Sequence, residues 1–132
     1  MFGRAVFAAA LTLGAGAACA QEVKISSVSV SRLGKANLCS ALGGGEQAPV
    51  ITIRHTRGTG SISIAMVDRL SNGRTNDHGS SQVQAEPTGT TIVRNNFRPP
   101  CNRITSQGVK SAYYVTATSG QSSKTVLWGR YP

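Results

Sequence analysis

The chain has 132 residues, enough for one hydrophobic core but not for two. Its 14 Lys and Arg against 5 Asp and Glu give a formal charge of +9, which attracts anions and leaves few carboxylates for acid–base chemistry. Aromatic residues make up only 5%, too few to stack bases between the charges, so nucleic acid is not an expected partner.

Residues 1–20 have the three parts of a secretory signal. Arg4 supplies the positive start, Val6 to Gly16 the apolar stretch, and Ala18-Cys19-Ala20 the small residues of a cleavage site. Cleavage is expected after Ala20, leaving a single domain over residues 21–132 in the periplasm or outside the cell. A lipidated Cys19 is the rival reading. It normally calls for a larger aliphatic residue three places earlier, where Gly16 stands. Arg4 is the only charged residue of the leader, so its removal takes the formal charge from +9 to +8. No later stretch is apolar enough to cross a bilayer as a helix. Cys39 and Cys101 remain, and an even pair in an oxidising compartment reads as a disulfide. Two free thiols in incidental core positions are the alternative; without C-x-x-C spacing the pair does not read as a metal site.

Short β-branched runs then follow one another, punctuated by Ser, Thr and Gly. Val23–Ser31 alternates through Val23 and Ile25, then shifts phase to Val28 and Val30. Ala36–Leu42 has room for one helical turn before Gly43-Gly44-Gly45. Val50–Arg54, Ser61–Asp68, Thr90–Arg94, Ser111–Thr118 and Thr125–Trp128 complete the strands. Period-two patterning predicts an all-β, antiparallel sandwich. Asn72-Gly73 favours a tight hairpin locally. The residues after it are too polar for an immediate return strand, so Leu70–Gln84 is expected as a long surface loop.

The inventory for catalysis is short: His55, His78 and the carboxylates Glu22, Glu46, Asp68, Asp77 and Glu86. His55 lies between two arginines and reads as a solvated strand-end residue. His78 follows Asp77 and precedes Gly79 within the expected loop. Serines are plentiful, but no nucleophile-elbow pattern supports a triad, and no third ligand near a histidine supports zinc. Enzymatic turnover, a metal and a cofactor are therefore not expected. The basic residues are spread singly and suit phospholipid headgroups or other anions, though solubility alone would also account for them.

Four stretches, in order, resemble the phosphatidylethanolamine-binding protein family, the Raf-kinase-inhibitor-like group. Cys39-Ser40-Ala41-Leu42-Gly43-Gly44-Gly45-Glu46-Gln47-Ala48-Pro49 is similar to the glycine-rich turn before a strand in bacterial members. Gly58-Thr59 with Ser61–Asp68 resembles the Gly-Thr, strand, Asp sequence that carries the family's Asp-Pro-Asp motif. Phe97-Arg98-Pro99-Pro100-Cys101 resembles its Gly-Pro-Cys-Pro-Pro segment, and Gly108-Val109-Lys110 its entry to a late strand. Val126-Leu127-Trp128-Gly129-Arg130-Tyr131 is similar to a Gly-x-Tyr ending.

The resemblance implies a large antiparallel sheet on a smaller one and a surface pocket for a phosphate-like anion or phospholipid headgroup. Asp68 would match the first acid of Asp-Pro-Asp and His78 the histidine that follows, with Pro99, Pro100 and Gly108 forming the other wall. Lys110 or Ser111, depending on alignment, would stand near the family's second histidine, with Lys110 as an accessory cation. Arg69-Leu70 replaces the motif's Pro-Asp, and the tryptophans flanking the family histidine are missing. The resulting expectation is an exported, non-enzymatic anion-binding protein. The alternative is an immunoglobulin-like or adhesin-type interaction module without a small-molecule pocket, in which Asp68 and His78 lie far apart. Protease inhibition, which the family's activities allow, is a third reading.

Overall fold

A computed structural model describes residues 22–94, 97–101 and 108–131. The expected signal peptide lies outside the described residues, as does Arg103 of the spread basic set. Among the described residues seven strands form two antiparallel sheets: β1 (Ile25–Val30), β2 (Ile51–His55), β3 (Ser61–Leu70), β4 (Thr75–Gln84), β5 (Thr90–Val93), β6 (Ser111–Ser119) and β7 (Ser122–Tyr131). The smaller sheet has the order β1-β2-β5 and the larger β4-β3-β6-β7. The architecture is the all-β sandwich that period-two patterning implies.

The core is the set of alternate residues on the facing sides. Ile25, Ile51 and Ile53 come from one sheet; Ile62, Ile64, Met66, Tyr113, Val115, Ala117 and Trp128 come from the other. Each fully buried aliphatic side chain contributes roughly 1.5–3 kcal/mol. The phase shift between Ile25 and Val28 is a register break in the β1–β2 ladder between Ile25 and Ser27. A second break, between Tyr113 and Tyr114, leaves Trp128 as the extra residue on β7. Its indole meets Tyr113 edge-on at 6.3 Å, and its Nε1 donates to the Ser31 carbonyl at 2.7 Å.

Leu70–Gln84 is not a loop. Ser71 to Arg74 make a tight turn, with Gly73 at φ +92° and the Leu70 amide donating to the Arg74 carbonyl at 2.8 Å. The polar return segment is β4, ten residues paired to β3. Its polarity misleads because β4 is an edge strand whose outward face is solvated. Main-chain pairing holds it, and among its residues only His78 is fully buried. Ala36–Leu42 is two short 3₁₀ turns, Lys35–Asn37 and Ser40–Leu42, separated by the extended Leu38 and Cys39.

A strap runs along the β4 edge. The Arg98 amide donates to the His78 carbonyl at 2.9 Å, and the Cys39 amide donates to the Pro100 carbonyl at 2.9 Å. The expected Cys39–Cys101 disulfide is formed, with a Cα–Cα distance of 5.3 Å. It ties the strap to the segment linking β1 and β2, and so covers part of an otherwise open sheet edge.

Candidate functional site

Asp68 on β3 and His78 on β4 are brought together by the hairpin, with Oδ2 and Nε2 3.9 Å apart. They are not set in a surface dent: Asp68 is 2% exposed and His78 6%. Asp68 continues the inward series Ile62, Ile64 and Met66, so its carboxylate enters the core by strand alternation. A register break opposite Met66, with Gly79 at φ +111° and the Asp77 Oδ1 accepting from the Gly79 amide at 2.8 Å, turns His78 inward as well.

The His78 ring is held from both ends. Its Nδ1 lies 2.7 Å from the Arg98 carbonyl oxygen, which can only accept, so Nδ1 carries a proton and Nε2 faces Asp68. Tyr113 meets the ring edge-on at 5.4 Å. Asp68 Oδ2 accepts long hydrogen bonds from Ser111 Oγ at 3.3 Å and Asn76 Nδ2 at 3.5 Å. Asp68 Oδ1 and Tyr113 Oη have no hydrogen-bond partner among the described residues. Burial pushes the Tyr113 phenol up to about 12; the adjacent Ser111 hydroxyl opposes this, and Asp68 and Tyr131 add to it. This is a polar cluster inside the sandwich that fastens the strap.

His55 is buried, not solvated. Its Nδ1 donates to the Thr56 carbonyl at 2.7 Å, and its Nε2 accepts from Thr91 Oγ1 at 2.8 Å, which ties β2 to β5. Two flanking arginines hide this in the sequence; the inward register of Ile51, Ile53 and His55 reveals it.

Gly108 is an exposed turn residue at φ +80° with open space where a side chain would project. Lys110 exchanges hydrogen bonds with Ser71 at the β3–β4 turn: its amide donates to Ser71 Oγ at 3.0 Å and its carbonyl accepts from the Ser71 amide at 2.9 Å. Lys110 therefore lines a separate open cleft of about 300 Å³, together with Arg69, Ala112 and Arg130 and with neither Asp68 nor His78.

The register explains this cleft. Arg69 stands opposite Ala112, and Ala112 opposite Arg130, so the three form one row across β3, β6 and β7. At a strand spacing of about 4.8 Å the two arginine backbones are about 10 Å apart, with only a methyl group between them. Arg69 Cζ lies 4.6 Å from the Tyr114 ring centroid, which orients the guanidinium over the same face. Among the described residues no carboxylate lines the cleft. Glu46 and Asp77 are occupied by the amides of Ser40 and Gly79, and Asp68 is enclosed. Among the described residues no lysine or arginine is ion-paired with a carboxylate. Sequence inspection missed Arg69 and Arg130 because 61 residues separate members of a row that only strand pairing creates.

Among the described residues no cluster of three or more His, Cys, Asp or Glu could hold a metal, and no helix is long and apolar enough to cross a membrane. Compared with known protein families, curated proteins and solved structures, the chain matches none. The functional reading therefore rests on the geometry.

Proposed function

We propose that this is an exported, non-enzymatic protein that binds a small multi-oxygen anion, and that the anion sits between Arg69, Lys110 and Arg130. The row Arg69–Ala112–Arg130, with no carboxylate beside it among the described residues, carries the reading. Two arginines of one row that line the same cleft would suit phosphate, sulfate or their monoesters, and the lysine adds a point charge. Export is supported by the leader sequence and by the Cys39–Cys101 bridge. The family resemblance would place the anion on Asp68 and His78. Their enclosure, and their use in holding the strap, favour the neighbouring cleft instead.

A phosphate titration followed by NMR tests the site. Saturable shifts at Arg69, Lys110, Ala112 and Arg130 are expected, with little change at His78. Shifts centred on His78 would restore the original site. No saturable shift anywhere would leave the second reading, an immunoglobulin-like interaction module, with Asp68 and His78 adjacent inside the sandwich and not far apart as that reading expects. That reading is favoured by the strand order β1-β2-β5 against β4-β3-β6-β7, in which β2–β3, β4–β5 and β5–β6 each cross between sheets.

A further inference from the structure

A second cleft, of about 480 Å³, adjoins the basic one and shares Arg130 with it. Leu33, Leu38, Leu42 and Tyr131 line it together with Lys35 and Arg130, so aliphatic side chains stand beside cations there. Leu38 is 2% exposed, whereas Leu33 and Leu42 are half-buried and present their remaining surface to the cleft.

The local sequence builds this wall. A Cβ on Gly129 would come within 2.8 Å of Leu33 Cδ2, so the missing side chain is what seats Leu33 against β7. The Trp128 bond to the Ser31 carbonyl fixes the chain just before Leu33. The two 3₁₀ turns, the second ended by Gly43 at φ +81°, then bring Leu38 and Leu42 alongside.

We infer that the ligand is a soluble amphiphile, a single aliphatic chain ending in an anionic head. The head sits between Arg69, Lys110 and Arg130, and the chain lies against the part-exposed Leu33 and Leu42. This rests on the anion reading above and adds the chemistry of the rest of the ligand. Charge complementarity commits the site to this occupant: cations border both clefts, and among the described residues no carboxylate lines either. An aliphatic chain brings no hydrogen-bonding group that these leucines would leave unpaired. Each cleft falls within the roughly 300–1,000 Å³ of small-molecule sites.

Calorimetric titrations of the exported protein with inorganic phosphate, octyl phosphate below its micelle concentration and octyl glucoside test the inference. Octyl phosphate is expected to bind at least about tenfold more tightly than phosphate, since each buried methylene contributes roughly fourfold. Octyl glucoside, lacking the charge, should bind far more weakly than octyl phosphate. Leu42→Ser should abolish the advantage of octyl phosphate over phosphate. If that variant does not fold, Lys35→Glu on the exposed rim should weaken octyl phosphate more than phosphate. Equal affinity for the two phosphates, an advantage that survives these substitutions, or octyl glucoside binding as tightly as octyl phosphate would overturn the inference and leave the anion reading standing. Binding to anionic vesicles without binding to the monomer would overturn it as well. Failure of both phosphates to bind would remove the anion reading and this inference together.

Discussion

His78 and Arg98 exchange two hydrogen bonds: the imidazole Nδ1–H donates to the Arg98 carbonyl at 2.7 Å, and the Arg98 amide donates to the His78 carbonyl at 2.9 Å. One residue of an edge strand thus uses its side chain and its backbone to hold the strap, while its other ring nitrogen faces the enclosed carboxylate of Asp68.

His78→Ala should therefore cost about 2–4 kcal/mol, because it opens a cavity, removes the side-chain bond and leaves Asp68 enclosed without its partner. Urea midpoints measure this. Asp68→Leu combined with His78→Phe should recover part of the loss, because no charge is then left unpaired. The two substitutions will not be additive.

Opening the Cys39–Cys101 bridge releases a loop of 62 residues' separation, for which chain entropy gives about 4 kcal/mol as the upper expectation. Cys39→Ser with Cys101→Ser should lower the unfolding midpoint accordingly. Hydrogen exchange should speed up first at the Arg98 amide, the bond that joins the strap to β4.

Tyr113 makes stability fall in alkali. Its phenol is raised from 10.0 to about 12 in the fold, so the folded state favours the neutral form. The contribution is complete below pH 10 and is lost as pH rises to about 12, amounting to roughly 2–3 kcal/mol. Tyr113→Phe should flatten this alkaline decline. At neutral pH it should change stability by less than about 1 kcal/mol, because the hydroxyl it removes has no hydrogen-bond partner within bonding distance among the described residues. Denaturant titrations across the alkaline range separate the two effects.

Arg69→Ala and Arg130→Ala should each weaken phosphate binding about tenfold, and the affinity should fall as salt is raised. Arg54→Ala, on an exposed position of β2 in the other sheet, should leave it unchanged. Unfolding free energies of all three should stay within about 1 kcal/mol of the parent, since no lysine or arginine among the described residues is ion-paired with a carboxylate and Arg69 loses only its contact with Tyr114.

Much of the fold is legible along the chain. Ile62, Ile64 and Met66 alternate with polar residues, as do Tyr113, Val115 and Ala117, and a strand with one buried face must repeat every two residues. β4 was illegible for the complementary reason: an edge strand that buries one full side chain needs no apolar rhythm, and its pairing lies in the main chain. The Asn72-Gly73 signal was the better guide there. Asp68 and His78 could be singled out as neighbours, but not as enclosed groups. Their burial depends on β6, through Ser111 and Tyr113, and on the strap, through Arg98.

The amino-acid order alone determines the strand periods, the glycine turns, the paired cysteines and the excess of positive charge, because each is a local or compositional property. Only the tertiary structure decides that an acid and a histidine are sealed inside. It also decides that Arg69 and Arg130 share one row across Ala112. Inter-strand register joins residues far apart in the chain, and no short window of sequence records which strand will lie beside which.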